Sequence, residues 1–281
     1  GAHIIMRQPL GLSLDLTYFT GELDVFGSGD VFPTAFGSRA IASNFSGYLY
    51  FPEDSQIIYN GIHTIDGSGL KISSRFNTDF NLSSLYVYQD SYLGTGHFSL
   101  DLHTVFNTEQ FKMESFAGVS YPSSTWGLYR AGLLLFYDTG QGGEFLTQIG
   151  IPRWDPVGDP FAIDLFYFLF EPRVRFGGFS IILTLFWHPA YYLQTATNEL
   201  GSIDINSNFQ FGNPEKSINS GGIETKMSLS TTATDQFRAI VSPYFRIATS
   251  GVIWNFKVNT QVFPIDVANM FEIFIGVRAE F

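Results

Sequence analysis

The chain has 281 residues, a formal net charge of −11 and no cysteine; 17% of its residues are aromatic and only 15% are charged. An ordinary soluble domain carries about 25% charged residues, and a disordered chain does not hold 45% hydrophobic residues. Without cysteine the chain forms neither disulfides nor thiolate sites, and its negative charge opposes nucleic-acid binding. These values favour a folded protein whose aromatic residues face an apolar environment beyond an ordinary core.

The N-terminus shows no targeting signal. Residues 1–6 do not place a basic segment before an apolar one, as a secretory signal does. We therefore expect a mature or recombinant N-terminus from which any signal has been removed. Residues 1–6 are a candidate remnant of recombinant expression, so they carry no weight in the fold prediction, which assigns 1–281 to a single domain.

The first clear pattern lies in residues 70–82, where apolar and polar side chains alternate. The apolar positions are Leu70, Ile72, Phe76, Phe80 and Leu82, and the polar positions are Lys71, Ser73, Arg75, Asn77, Asp79 and Asn81. Successive side chains of a strand point to opposite faces. The pattern therefore predicts a strand with one apolar face and one polar face.

The same alternation recurs at 98–106, 203–211, 223–230 and 252–261. Stretches rich in Gly, Pro, Asn and Ser separate these segments, and no helical pattern lies between them. The sequence therefore predicts antiparallel hairpins, which build either a soluble two-sheet sandwich or a barrel.

Two segments, 161–170 and 179–187, are apolar on both faces. Each is too short for a membrane-spanning helix of about 20 residues, but each matches a spanning strand of about 9 to 11 residues. The apolar residues on the face that should be polar are Phe166, Phe168, Phe170, Ile182 and Phe186. This apolar wall, residues 161–187, has three interpretations: packing against an inward loop, an apolar substrate track, or a subunit contact in a homo-oligomer.

The alternation continues through 271–281, with Phe271, Ile273, Ile275, Val277, Ala279 and Phe281 on one face. This segment resembles the last strand of bacterial outer-membrane proteins, which usually ends in an aromatic residue, commonly Phe, after apolar residues at alternate positions. In that family the strand is read by the barrel-assembly machinery. The resemblance implies a location in the bacterial outer membrane, with outer-membrane lipid and the assembly machinery as partners, the latter through the strand that ends at Phe281.

Aromatic residues near the ends of the predicted strands also favour a barrel over a sandwich. Tyr121, Trp126 and Trp187 are examples, and such residues concentrate at the two water–lipid boundaries of a transmembrane barrel. We predict an all-β, transmembrane, antiparallel up-and-down β-barrel with an even number of strands, about 14 and between about 12 and 16.

His97 and Ser99 form a pattern that resembles the His and Ser of outer-membrane phospholipases and lipid A deacylases. In those enzymes the pair faces lipid, whereas here it shares the polar face, and Leu100 stands where an Asn is common. A metal site at His97, Asp101 and His103 is disfavoured because same-face neighbours on one strand lie about 7 Å apart. We therefore expect no enzyme, no catalytic residue, no metal and no cofactor.

The predicted function is an outer-membrane channel or porin-like pore for passive passage of small hydrophilic solutes, since a barrel of more than about eight strands leaves room inside. Two alternatives stay open: a transporter of apolar substrates of the fatty-acid-channel type, and a non-conducting structural or assembly barrel filled by paired charges. The residues expected to line the pore are Lys71, Arg75, Asp79, Asp101, Lys112, Glu114, Lys226, Arg238, Arg246 and Lys257.

The placement of charge predicts weak ion selectivity. Eight of the 15 basic residues and nine of the 26 acidic residues fall on the predicted lumen face, Asp164 among the acids. The excess of acid then belongs to the mouths of the pore, where salt screens it beyond about 8 Å. We expect a weak cation preference that fades as the salt concentration rises.

Overall fold

The computed structural model describes residues 1–26, 63–75, 82–91, 97–121, 127–158, 160–188, 202–212, 218–230, 237–268 and 270–279. In these ranges fifteen strands form one antiparallel sheet. Neighbouring strands in the sheet are also neighbours in sequence, so the topology is up-and-down. The predicted all-β class and the antiparallel up-and-down order are confirmed.

The elements follow one another as simple hairpins. The strands are β1 (Ala2–Arg7), β2 (Leu14–Phe26), β3 (His63–Arg75), β4 (Leu82–Asp90), β5 (Phe98–Asn107), β6 (Phe111–Tyr121), β7 (Leu128–Asp138), β8 (Gly143–Trp154), β9 (Tyr167–Phe176), β10 (Phe179–His188), β11 (Ser202–Phe211), β12 (Asn219–Ser230), β13 (Phe237–Thr249), β14 (Val252–Phe263) and β15 (Phe271–Ala279). Short 3₁₀ helices lie at Pro9–Gly11 and Ile163–Leu165. No helix in the described ranges has the length and hydropathy to cross a membrane.

Side chains alternate along the strands between an exposed apolar face and a buried polar face. In β5, for example, Phe98 and Leu100 are exposed while Ser99 and Asp101 are buried. A soluble sandwich shows the opposite arrangement, because its apolar faces fill the core between two sheets. The two-sheet alternative is therefore wrong for the described ranges, where every strand belongs to one sheet.

The sheet curls strongly toward its polar face. The rings of Phe26 at the end of β2 and Phe116 in β6 have centroids 5.5 Å apart. In a flat sheet, four strand spacings would separate these positions by about 19 Å. Phe26 also stacks on His103 of β5 at 4.3 Å. The buried face is therefore the concave face of a curved sheet, and the exposed apolar face is the convex face.

The number of strands differs from the even number near fourteen that the sequence predicts. The strand that pattern reading misses is β1, whose six residues are all exposed. Its Ile4, Ile5 and Met6 are consecutive apolar residues, so the segment has no two-residue period to detect. In the described part of the chain, β1 pairs with β2 alone and β15 with β14 alone.

The segment 161–170 is a strand only from Tyr167 onward, whereas the sequence predicts a strand over its whole length. β9 begins at Tyr167, and Asp164, which was predicted on the lumen face, is exposed in the 3₁₀ helix Ile163–Leu165. Glu171 and Arg173, which the sequence placed between two strands, lie inside β9 and are buried. Buried charges require partners, and both residues find polar partners on the concave face. Their position there determines which residues of β9 face the concave side.

The apolar wall is therefore confirmed only in part. Phe170 is exposed on the convex face instead of the concave face, because the phase of β9 is opposite to the predicted one. Ile182 and Phe186 of β10 are buried on the concave face, as the sequence predicts.

The two ends of the sheet have connections of different length. Strands of odd number are joined to the next strand by segments of two to seven residues, such as 177–178 and 250–251. Strands of even number are joined to the next by segments of six or more residues, and the longest are 27–62, 155–166 and 189–201. We call these the short-connection end and the long-connection end.

Candidate functional site

The concave face carries most of the residues expected to line a pore. Those that are buried on this face are Asp101, Lys112, Glu114, Lys226 and Lys257. Those that share the face by strand alternation with partial exposure are Lys71, Arg238 and Arg246. The side chain of Arg75 and the whole of Asp79 lie outside the described part of the chain.

From β2 to β10 the concave face also holds a packed apolar cluster. Its members are Phe19, Phe26, Ile65, Tyr86, Tyr88, Phe116, Leu134, Phe136, Leu146, Tyr167, Leu169 and Phe186. Outside 161–187 the alternation rule assigns apolar residues to the lipid-facing side, so it does not detect the rest of this second apolar surface. This half of the concave face resembles a protein core as much as a channel lining.

Asp101 is the centre of a buried polar network within that half. Arg130 of β7 donates from Nε to Asp101 Oδ1 at 2.8 Å and from Nη2 to Oδ2 at 2.6 Å. The Tyr88 hydroxyl donates to Oδ2 at 3.0 Å, and His63 Nε2 lies 3.3 Å from the same oxygen. The bidentate geometry is the strong form of an Arg–carboxylate pair. The carboxylate thus ties together β3, β4, β5 and β7.

The network continues through hydroxyl groups. Arg130 Nη1 donates to Ser120 Oγ at 2.6 Å, Ser120 Oγ lies 2.6 Å from Ser99 Oγ, and Ser99 donates to Asp90 Oδ2 at 2.8 Å. Gly118 of β6 leaves the space that Asp101 occupies, because a Cβ there would collide with the carboxylate. The result is a continuous chain of polar contacts at the long-connection end.

A second charged cluster lies on β8, β9 and β10. Arg173 donates from Nε to Glu171 Oε1 at 2.6 Å, and its Nη1 lies 3.7 Å from Glu144 Oε2. Thr184 donates to the other oxygen of Glu171 at 2.9 Å. The sequence missed this cluster because the apolar residues around it hide the two-residue period.

Two further pairs add to these charged contacts in the described part of β2 to β10. Lys71 Nζ lies 2.6 Å from Asp24 Oδ2, which also accepts a hydrogen bond from the Tyr86 hydroxyl at 2.8 Å. His103 Nε2 lies 3.0 Å from Glu114 Oε1. Lys71, Asp101 and Glu114, all predicted pore-lining residues, therefore contact groups of opposite charge or a histidine.

From β11 to β14 the concave face is predominantly polar. Its buried polar and charged residues are Asp204, Asn206, Asn208, Gln210, Ser220, Glu224, Lys226, Ser242, Lys257 and Asn259. Buried hydrophobic residues here are Ile240 and Tyr244. Lys257 Nζ lies 3.1 Å from Glu224 Oε2. Four of the ten buried polar residues are carboxamides, namely Asn206, Asn208, Gln210 and Asn259, whereas Gln148 is the buried carboxamide in the described part of β2 to β10.

His97 and Ser99 lie at the start of the fifth strand. Ser99 is buried on the concave face and hydrogen-bonded to Asp90, while His97 precedes β5. Among the residues that the structure describes, no group of three or more His, Cys, Asp or Glu has a geometry suited to a metal ion.

The convex face has an aromatic groove of about 500 Å³ at the short-connection end. Phe176, Phe179, Phe209, Phe211 and Ile223 line it, and all five are exposed. Aromatic side chains at the ends of strands are typical of the water–lipid boundary of a membrane barrel.

Comparison with known proteins gives no family assignment. The chain matches no protein-family model, and it matches no curated protein sequence.

Proposed function

We propose that the curved sheet closes into a β-barrel that spans the bacterial outer membrane. The observation that carries this proposal is the inverted polarity of the sheet, with large apolar side chains on the convex face and buried charges on the concave face. In water such an apolar surface promotes association, whereas the outward face of a membrane barrel meets lipid and its interior is polar. Fourteen of the fifteen described strands have nine or more residues, and a strand that spans the membrane requires about 9 to 11.

We propose that the barrel closes by pairing of β15 with β2, and we call this closing pair the seam. In the antiparallel series β2 and β15 run in opposite directions, whereas β1 and β15 run in the same direction. Pairing of β15 with β2 in place of β1 gives an even number of strands with antiparallel neighbours throughout, as in bacterial outer-membrane barrels. The resemblance of 271–281 to the last strand of such barrels supports the same arrangement.

Because the chain has no cysteine, engineered cysteine pairs test this seam. Val277→Cys on the exposed face of β15 is combined in turn with cysteine at Leu16, Tyr18 or Thr20 on β2. At least one pair should form a disulfide in outer-membrane vesicles, because paired strands bring Cβ atoms within disulfide reach. Val277→Cys with Tyr129→Cys on β7 is the control. Absence of a disulfide from all three pairs would overturn the seam.

Within this barrel we infer a pore for small hydrophilic solutes that follows β11 to β14. A barrel of about eight strands is filled by its own side chains, and a wider barrel leaves space. The polar concave face of β11 to β14 supports this path, whereas the apolar cluster occupies the other half. Short connections face the periplasm in such barrels and longer loops face the exterior, which gives the orientation.

Planar-bilayer recording tests the pore. The folded chain is recognised by an electrophoretic mobility that shifts on heating. Stepwise ion currents are expected from the folded chain and are not expected from the heated chain. Absence of ion currents at high protein load would overturn the pore. It would not overturn the barrel, which the cross-linking experiment tests separately.

A second candidate is a non-conducting structural or assembly barrel. The Asp101 network and the apolar cluster favour it, because paired charges and packed rings fill the concave face from β2 to β10.

The apolar cluster also supports a third candidate, a transporter of apolar substrates, because it offers them an apolar surface on the concave face. Uptake of a fluorescent fatty acid by vesicles that carry the protein, without ion currents, would favour that transporter over both other functions.

A further inference from the structure

Aromatic side chains on the convex face form two belts, one toward each end of the sheet. On five strands the outermost convex aromatic residues are eight positions apart, namely Phe98 and Phe106, Tyr129 and Tyr137, Phe168 and Phe176, Phe179 and Trp187, and Phe237 and Phe245. On β8 the two residues are Phe145 and Trp154, where the pairing with β7 shifts register. We define the long-connection belt as Phe98, Tyr129, Trp154, Phe168, Trp187 and Phe237. We define the short-connection belt as Phe106, Tyr137, Phe145, Phe176, Phe179 and Phe245.

The belts differ in composition from the surface between them. Rings of neighbouring strands lie close together within each belt, as the centroid distances of 6.0 Å for Tyr129 and Trp154 and 5.4 Å for Tyr137 and Phe145 show. On β5, β7, β10 and β13 the convex positions between the belts hold no aromatic residue, and Leu183 of β10 is an exposed example. Aromatic girdles on both sides of an apolar band are typical of barrels in lipid.

The long-connection belt does not follow the hydrogen-bonded rows of the sheet, a row being the residues that pair directly from one strand to the next. Trp187 of β10 pairs with Phe168 of β9, which pairs with Ile149 of β8. Ile149 in turn pairs with Leu133 of β7. Trp187 and Phe168 belong to the belt, but Leu133 lies four residues beyond Tyr129, the belt residue of β7. The belt is therefore displaced by four residues between β7 and β9.

The short-connection belt is displaced in the same direction and by the same amount. Tyr137 of β7 pairs with Phe145 of β8, which pairs with Pro172 of β9. The belt residue of β9 is Phe176, four residues beyond Pro172. The two belts thus cross the rows in parallel and keep a constant separation.

This displacement measures the tilt of the strands. Tyr129 shares a row with Leu100 of β5, two residues beyond Phe98, and Phe237 of β13 shares the row of Trp187. From β5 to β13 the belt is thus displaced by six residues, about 20 Å, across eight strand spacings of about 38 Å in total, which gives a tilt of roughly 30°. Eight residues of a strand with this tilt rise about 24 Å, close to the apolar band of about 25 Å that membrane barrels present to lipid.

We propose that a lipid bilayer contacts the convex face between the two belts, and that the belts, not the rows, mark its two boundaries. A bilayer is a slab of uniform thickness, and a constant separation between belts on strands of different register matches such a slab. Aromatic rings favour the boundary between lipid and water. This inference rests on the proposed barrel, and it adds where the lipid lies and how the strands cross it.

Depth-dependent quenching of tryptophan fluorescence in vesicles tests the inference. Each chain keeps one tryptophan, and Phe replaces the other native tryptophans. The vesicles contain phosphatidylcholine brominated either next to the headgroup or near the methyl end of an acyl chain. Trp187, in a belt, should be quenched more by bromine near the headgroup. Ile149→Trp, which lies in the same row but between the belts and is exposed, should be quenched more by bromine near the methyl end.

Phe186→Trp is the matched control, because Phe186 is next to Trp187 but is buried on the concave face, and either lipid should quench it little. The same order of quenching at positions 149 and 187 would overturn the belts as boundaries while the barrel stands. Quenching of Phe186→Trp as strong as that of Trp187 would place lipid on both faces of the sheet and overturn the proposed barrel itself. Where Ile149→Trp lacks the mobility shift of a folded barrel, Leu133→Trp, the next residue of the row, takes its place.

Discussion

The two halves of the concave face use buried polar residues in different ways. From β2 to β10, charged groups are surrounded by aromatic rings and by each other, and Asp101 contacts three polar residues on other strands, His63, Tyr88 and Arg130. From β11 to β14, carboxamides and hydroxyls predominate, and few apolar side chains separate them. The first half has the composition of a protein core with buried ion pairs, and the second that of a polar surface with few apolar side chains.

This difference matters because equal burial does not imply equal function. Asp101 and Glu224 are both 0% exposed. Exposure alone therefore predicts the same loss in the free energy of unfolding when either carboxylate is removed. If the pore follows β11 to β14, water replaces the lost partner of Lys257 but not that of Arg130. The following variants test that distinction.

The largest effect is expected for Asp101→Ala. The substitution leaves the Arg130 guanidinium in a buried position without its carboxylate, which typically costs about 3 to 5 kcal/mol. The free energy of unfolding is measured by urea titration in lipid vesicles, with the fluorescence of the four tryptophans as the signal. Asp164→Ala, in the exposed 3₁₀ helix, is the control and should change stability by less than about 0.5 kcal/mol. Equal effects of the two variants would contradict the assigned network.

Gly132→Ala should have the next largest effect. A Cβ at this position would lie 2.5 and 2.6 Å from two ring carbons of Phe116 and would also meet the Tyr167 hydroxyl. Overpacking of this kind costs about 1 to 3 kcal/mol, measured by the same urea titration. Gly178→Ala in the β9–β10 turn meets no atom within 4 Å and should be nearly neutral. A neutral Gly132→Ala would mean that the apolar cluster is loosely packed.

The sequence predicted the strands best where the two faces differ in polarity. In β11, the alternation of Ile205 and Phe209 with Asn206 and Asn208 predicts both the strand and its buried face, and the structure agrees. In β7, Leu133 to Phe136 are apolar on both sides, so nothing in the pattern indicates that Arg130 reaches Asp101. Arg130 and Asp101 lie on β7 and β5, which are separated by β6. A contact between such strands depends on the curvature of the sheet, and the two-residue period of the sequence does not encode that curvature.

A smaller effect on stability is expected for Glu224→Gln. The substitution removes the carboxylate 3.1 Å from Lys257 Nζ, and if the second half borders a wet path, the loss should stay below about 1 kcal/mol, as for exposed ion pairs. The same variant should shift the reversal potential toward anions, since the path loses one negative charge. A destabilisation as large as that of Asp101→Ala would place Lys257 in a dry interior and remove the difference between the halves.

The smallest effect concerns ion selectivity, which depends on charges outside both halves. The segments that join even to odd strands contain nine acids and one base, namely Asp30, Glu53, Asp54, Asp155, Asp159, Asp164, Glu199, Asp235 and Asp266 with Arg39. The segments at the short-connection end contain three acids and one base, namely Asp79, Glu109 and Glu215 with Lys216. The negative excess therefore belongs mainly to the long-connection end.

A charged rim raises the local concentration of cations at a mouth, and salt screens this effect beyond about 8 Å at physiological ionic strength. We therefore predict a weak cation preference that is greater when the dilute solution faces the long-connection end and that disappears near molar salt. Reversal potentials under opposite salt gradients, with orientation fixed by one-sided labelling of a cysteine placed at Asp164, measure it. Strong selectivity that survives molar salt would instead locate the controlling charges on the concave face.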